Sequence, residues 1–353
     1  MPPFSPGDRL VVLGAGATRG ADFGPDFQRM CEPPLNADFF TQLQRISEPE
    51  RRRDLVRSVI TDVVELFGAN FSLTMEDYFT QLEFLWRTVA RSPVGAGMTT
   101  ADLQAKRDRL MSALSSVLEV STDAAIRESG GCRLHKLLVE NLRPRDTIIS
   151  FNYDCVLDHA LRRHGDHRWS ARYGYAIPKP SRILGADRWD PASPATSQET
   201  CHLLKLHGSL NWQLPPAEEP DGDVQLKLRL HTQRGTPRFT VIPPVWNKDA
   251  LEQPIFHSLW INAERAIRTA RQVAVVGFSF VPTDLPVESL FRVALARAGR
   301  LQTLIIANPS REARQRVRRV FSRSLEDGAV VRQYDGFEDF VSALPGAFAG
   351  PPP

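Results

Sequence analysis

A chain of 353 residues is long enough for one large domain or two ordinary ones, with a sizeable core in either case. Its apolar fraction of 42% and charged fraction of 24% are ordinary for a globular protein, and a net charge of only +3 points to neither nucleic acid nor a membrane surface. Four scattered cysteines (Cys31, Cys132, Cys155, Cys201) form no Cys-x-x-Cys pair, which argues against a disulfide scaffold or zinc ribbon and for reduced thiols.

Met1–Leu10 lacks the basic start and apolar run of a signal peptide, and the most apolar stretch, Val273–Val281, is too short to span a bilayer. The expected location is therefore cytoplasmic. The first element, Arg9–Leu13, is a short apolar run stopped by Gly14, as suits a buried parallel strand. From Asn36 to about Leu142 the pattern is helical. Phe39, Phe40, Leu43 and Ile46 follow an Asn36 cap, and Thr74 with Glu76 and Asp77 opens a second helix carrying Phe79, Leu82, Leu85 and Trp86. Leu103, Leu110, Leu114 and Val117 mark a third. This block reads as a helical insertion after the first strand.

Strand-like runs resume at Thr147–Ser150, His202–Leu206, Gln272–Val276 and Leu301–Ile306, with helices expected over Pro286–Ala298 and Arg311–Arg323. Buried strands alternating with helices imply an α/β fold, a doubly wound Rossmann-like parallel sheet covered on both faces. Its parts are expected to be a core of residues 1–35 and 143–349, an insertion over 36–142, and a disordered tail, Gly350–Pro353. The interval Pro178–Thr200 is rich in Pro, Ser and Asp without periodicity, so it reads as a long loop.

Gly14-Ala-Gly-Ala-Thr-Arg-Gly20 stands where parallel sheets bind phosphates, and glycines let a backbone bring N–H groups close to an anion. The spacing is not the dinucleotide fingerprint, however. No second strand follows soon enough to supply an acidic ribose ligand, because Phe23–Pro34 holds three prolines and no apolar run. Hydride transfer loses ground, and a tight structural turn remains an equal reading. Asn152 and Asp154 follow the second strand directly, and His207 follows the third, so all reach the carboxy-terminal rim where open parallel sheets bind ligands. Each has a structural alternative: Asn or Asp capping the next helix, and a histidine that only packs.

The chain resembles the sirtuin-like superfamily, and more closely its bacterial branch of NAD-consuming domains in antiphage defence. The resemblance rests on Gly14–Thr18, Phe151-Asn-Tyr-Asp154, Lys205-Leu-His-Gly-Ser-Leu-Asn-Trp212, Val241-Ile-Pro-Pro244, Gly277-Phe-Ser-Phe280 with Asp284 following, and Ile306-Ala-Asn-Pro309. It implies NAD bound as substrate across the sheet edge, with Gly14, Ala15, Gly16 and Thr18 near the phosphates. It further implies Asn152 and Asp154 at the nicotinamide ribose, His207 as base, Gly277 and Ser279 at phosphate or ribose, and Asn308 at the adenosine ribose. Zinc-bearing sirtuins carry two Cys-x-x-Cys pairs that this chain lacks, so no zinc is expected and NAD hydrolysis is favoured over deacylation. An NAD sensing module and an ADP-ribosyl transferase are the rival readings. The resemblance also implies gating by homo-oligomer formation or by a separate sensor such as an Argonaute-like or helicase-like partner.

The chemistry suits these residue types. Nicotinamide in NAD is already a cationic leaving group, so its departure needs no general acid. A carboxylate at Asp154 and the Asn152 amide oxygen could face the positive ribose, and a neutral His207 could accept a proton. The arginines of one late helix (Arg311, Arg314, Arg316, Arg318, Arg319, Arg323) read as a solvated face, so no direct nucleic-acid binding is expected. His159, His164 and His167 read as surface histidines rather than metal ligands, Cys155 as a packed thiol, and Trp86, Trp212, Trp246 and Trp260 as core or pocket-wall aromatics.

Overall fold

The computed structural model describes residues 4–21, 31–46, 50–91, 97–127, 131–213, 215, 222–228, 240–242, 254–282 and 284–348. Six parallel strands form the main sheet: β1 (Arg9–Leu13), β2 (Thr147–Ser150), β3 (His202–Lys205), β4 (Gln272–Val276), β5 (Thr303–Ala307) and β6 (Val330–Tyr334). Their order across the sheet is β6-β5-β4-β1-β2-β3, which is that of the doubly wound dinucleotide-binding fold. β1, β2, β3 and β5 are buried at every residue, which is why they read as unbroken apolar runs. The expected α/β class holds. β5 begins two residues later than expected, and β6 was not anticipated: it is an edge strand whose residues are exposed or half-buried.

α1 (Ala15–Arg19) follows β1 directly, and the helical block consists of α2 (Phe39–Arg45), α3 (Glu50–Phe67), α4 (Met75–Arg91), α5 (Thr100–Arg127) and α6 (Arg133–Glu140). Helix starts follow local chemistry. At α4, Thr74 Oγ1 accepts from Asp77 N–H (3.1 Å) while Asp77 accepts from Thr74 N–H (2.9 Å), and Thr99 with Asp102 repeats the device at α5. The Asn36 cap is corrected. Asn36 opens a 3-10 turn, and its amide oxygen accepts from Glu76 N–H (2.9 Å), tying that turn to α4. α3 and α5 are pinned by Asp62, which takes Lys106 Nζ at 2.9 Å and Arg109 Nε at 2.7 Å. α6 packs on α7 (Val156–His164), so the block joins the core that covers the sheet.

The remaining helices of five residues or more are α8 (Pro254–Thr269), α9 (Leu285–Ala296), α10 (Arg311–Val320), α11 (Ser322–Glu326) and α12 (Phe337–Ser342). The stretch 178–200 is irregular, as expected, but it is packed. Ile183–Leu184 pairs with Val224–Leu226, and Trp189 is fully buried. Among the described residues no helix is long and apolar enough to cross a membrane. Gly350–Pro353, Phe23–Met30, Pro243, Pro244 and Trp246 lie outside the described residues.

His159 corrects the surface reading: it is buried, with its ring 4.7 Å from that of Trp189 and Nδ1 without a protein partner. Burial, chiefly, holds its pKa at about 4. Between about 4 and the ordinary 6.5 the unfolded chain takes up a proton that the folded chain refuses, so this contribution is intact above pH 6.5 and lost on acidification. His159→Phe keeps the aromatic contact and removes the titration. We expect it to gain about 2 kcal/mol on the wild type between pH 7 and pH 5 in denaturant melts. Parallel pH dependence in the two proteins would refute the assignment.

Candidate functional site

β1 and β4 are neighbours, but the chain leaves β1 towards β2 on one side and β4 towards β5 on the other. A crevice therefore opens between their following loops, where such sheets receive ligands. All ten residues singled out by sequence stand at this carboxy-terminal edge: Gly14, Ala15, Gly16 and Thr18 after β1, Asn152 and Asp154 after β2, His207 after β3, Gly277 and Ser279 after β4, and Asn308 after β5.

The glycines are demanded first by packing. Gly14 N–H donates to Val276 O (3.1 Å) and Gly16 N–H to Gly277 O (3.0 Å), so these two amides are not held out for an anion. A Cβ on Gly14 would lie 2.6 Å from Gly277 O, and one on Gly16 2.8 Å from the same atom. Gly277 has φ +60°, and a Cβ there would sit 2.1 Å from Ala17 N. Backbone presses on backbone at the switch point. Gly277→Ala combines a clash with a left-handed conformation, and we expect a loss of about 3 kcal/mol or more, read as a fall of roughly 5 °C or more in Tm. A Tm within 1 °C or so of wild type would contradict that packing.

Next to the glycines lies a buried polar triad. Thr18 Oγ1 donates to Asp154 Oδ2 (2.9 Å) and accepts from Asn152 Nδ2 (3.0 Å). Because the hydroxyl proton goes to the carboxylate, Thr18 can only accept from Asn152, and this fixes which way the amide points. Its other end, Asn152 Oδ1, is buried and has no protein partner. Asp154 Oδ1 accepts from Val156 N–H (3.0 Å) at the start of α7, so both carboxylate oxygens serve the protein. Burial pushes the Asp154 pKa up, against the pull of Lys205 and of the Val156 and Thr18 hydrogen bonds.

Beneath the triad Lys205 is fully enclosed. Its ammonium donates to the Asp154 carbonyl (2.5 Å) and to Asp158 Oδ2 (3.0 Å). Tyr175 donates to Asp158 Oδ1 (2.6 Å) and accepts from Asn211 Nδ2 (3.3 Å). Burial alone would lower the Lys205 pKa, but the charges of Asp158 and Asp154 and the Asp158 hydrogen bond outweigh it and hold it above its ordinary value. The turn from Phe151 to Val156 is thus anchored from below. Cys155 is a packed thiol, as expected, pushed up to about 12 by burial.

His207 is buried on the far side of this turn. The Phe151 ring lies 5.1 Å from the imidazole and stacks on Phe278 at 4.3 Å, and Tyr153 stacks on the imidazole at 6.1 Å. Tyr153 also donates to Ile242 O (2.8 Å), while Ile242 N–H donates to His207 O (2.8 Å), locking backbone and ring together. Asp284 Oδ2 approaches His207 Nε2 at 3.5 Å. Neither Asp284 nor Lys205 has a role legible in sequence beyond membership of a motif. Asp284 precedes α9 as its N-cap residue, and only the fold brings it to the loop that carries His207, far earlier in the chain.

On the β5 side, Asn308 Oδ1 accepts from Ser310 N–H (3.0 Å), and Arg314 donates to Asn308 O (2.6 Å). Arg316 donates to Ser279 O (2.8 Å). Two arginines of the supposed solvated face therefore brace the loops that carry Asn308 and Ser279, whereas Arg311, Arg318, Arg319 and Arg323 are exposed as expected. Trp212 is buried, as expected, but Trp86 is 40% exposed. Among the described residues no group of three His, Cys, Asp or Glu side chains converges as metal ligands would.

A doubly wound parallel sheet with glycine-packed loops at its switch point and buried polar groups on the same edge defines a nucleotide-binding α/β protein. The chain belongs to the SIR2-like domain family, whose model matches residues 146–326, just over half the sequence, from β2 to the end of α11. SIR2-like domains use NAD, and membership carries NAD-dependent enzyme activity in general. No curated protein matches the chain.

Proposed function

We propose that the protein is an NAD glycohydrolase, releasing nicotinamide and ADP-ribose. The observation that carries this reading is the Asn152 amide, oriented by Thr18 and Asp154 so that Oδ1 is a buried acceptor with no protein partner. A buried acceptor left unsatisfied costs about 1–3 kcal/mol, a cost removed when a water or ribose hydroxyl donates to it. NAD supplies a cationic leaving group. Asn152 Oδ1 orients the oxygen nucleophile, and His207, its tautomer set by Asp284, takes the proton that nucleophile loses. Asp154 acts by holding Thr18 and Asn152, and its charge favours positive charge on the ribose. Gly14, Ala15, Gly16 and Thr18 lie beside the phosphates by close approach, Gly277 and Ser279 face phosphate or ribose, and Asn308 the adenosine ribose.

Incubation of purified protein with NAD, with products identified by mass, tests the reaction. Free ADP-ribose and nicotinamide are expected. Intact NAD would favour a sensing module, and mass added to an acceptor would favour ADP-ribosyl transfer.

We further propose that the enzyme is a gated NAD-depleting effector of antiphage defence, because an unrestrained NAD hydrolase would be toxic to its own cell. Residues 36–142 are the proposed insertion and docking surface, either for a second copy or for a separate sensor. The exposure of Phe84 (66%) on α4 supports that assignment.

A further inference from the structure

A cavity of about 620 Å³ lies at the opposite end of the sheet, by the amino-terminal ends of β2 and β3. No residue of the candidate site lines it. Its walls include the aromatic rings of Phe4, Tyr173 and His202, the apolar Ile177, and two cations, Arg145 and Arg265, with no Asp or Glu among the lining residues. His202 is buried and its Nδ1 has no protein partner. Its ring lies 4.7 Å from that of Phe4, and burial, aided by Arg145, keeps it neutral at physiological pH.

A second observation is conformational. Five described residues other than glycine have positive φ, and three of them surround this cavity: Arg145 (+67°), Ala176 (+51°) and Lys179 (+59°), which lies between the lining Pro178 and Pro180. Such backbone costs about 1–3 kcal/mol per residue and gathers at ligand-binding sites.

We propose that this cavity is a second ligand site, and that it takes a nucleoside monophosphate. The volume lies within the usual ~300–1,000 Å³ of small-molecule pockets. The Arg265 guanidinium, with no carboxylate among the lining residues, suits a phosphate, Arg145, whose Nε and Nη2 donate to Ser5 and Pro6, adds positive charge beside it, and Phe4 and Tyr173 give a heterocycle its stacking surface. The binding claim is independent of what the opposite edge catalyses.

The site also reaches the candidate catalytic loop. α8 supplies Ser258, Ile261, Asn262 and Arg265 to the cavity wall, and its Trp260 Nε1 donates to the carbonyl of Leu206 (3.4 Å), the residue before His207. Occupancy therefore changes NAD turnover, a consequence that rests on the hydrolase reading.

Calorimetric titration of the full chain with UMP and with GMP tests the site, inorganic phosphate serving as the anion-only control. One molecule of UMP or GMP is expected to bind per chain, more tightly than phosphate. Arg265→Glu, a change at an exposed helix position, should weaken binding about tenfold or more, and Asn152→Ala should leave it unchanged. No binding of either nucleotide at millimolar concentration overturns the proposal. So does binding indifferent to Arg265→Glu, binding lost in Asn152→Ala, or phosphate binding as tightly as the nucleotides. Saturating nucleotide should alter NAD cleavage by about threefold or more in the wild type and not in Arg265→Glu. An unchanged rate with binding intact overturns the coupling alone, and a chain that leaves NAD uncleaved removes the hydrolase reading while the calorimetric result stands.

Discussion

Asn152→Ala is expected to lower NAD cleavage by about 100-fold or more while leaving the fold intact, because positional loss at a reacting centre costs on that scale. The truncation removes the oriented acceptor and frees Thr18 to pair with Asp154 alone, so stability should change little. Asn152→Asp separates orientation from size. It replaces the amide N–H₂ that reaches Thr18 (3.0 Å) with oxygen and sets two carboxylates about one hydroxyl that has a single proton to give. That variant should be inactive and also less stable. Thr18→Val leaves Asn152 in place but lets its amide turn, and a fall of about tenfold or more is expected from misorientation alone. Full activity in Thr18→Val at unchanged Tm would show that the triad does not set the amide, and near wild-type cleavage by Asn152→Ala would remove Asn152 from the chemistry. The measurements are initial rates of nicotinamide release with melting curves for each variant.

The sheet was legible because strands buried on both faces are written as continuous apolar runs, each ended by glycine or polar residues. β6 escaped for the opposite reason. As an edge strand it carries Arg332 and Gln333 within Val330–Tyr334 and has neither a continuous run nor a clean alternation. The two-residue pairings, such as Gly208–Ser209 with Thr240–Val241, are too short for any period. His159 was misread because its burial under Trp189 comes from the aperiodic 178–200 stretch, whose packing no local pattern announces. At the site, residue types and their rim position were readable; their partners were not. Nothing local to Gly14 and Gly16 reveals that Gly277 presses on them, or that Lys205 is consumed in holding Asp154 and Asp158. Those facts are made by the topology, which brings the loops after β1, β2, β3 and β4 together.

His207→Ala should cost at least as much as Asn152→Ala, since a positioned general base contributes about 10²–10⁴ in rate. Phe151, Tyr153 and the Ile242 backbone contact hold the imidazole, so removing it leaves a cavity rather than a rearranged turn, and some loss of Tm is expected alongside the lost rate. That loss makes His207→Ala alone ambiguous, and Asp284 resolves it. The carboxylate stands 3.5 Å from His207 Nε2, where it favours the proton on that nitrogen and leaves Nδ1 unprotonated, as a base requires. Asp284→Asn keeps shape and N-cap position but can present its N–H₂ to Nε2, favouring the wrong tautomer. The expected result is a kcat lower by about 10-fold or more, with KM within about threefold of wild type and Tm nearly unchanged. A rise in KM with kcat preserved would mean that Asp284 serves binding rather than the base. Full activity in Asp284→Asn would dissolve the pair and leave His207 to act without an orienting carboxylate.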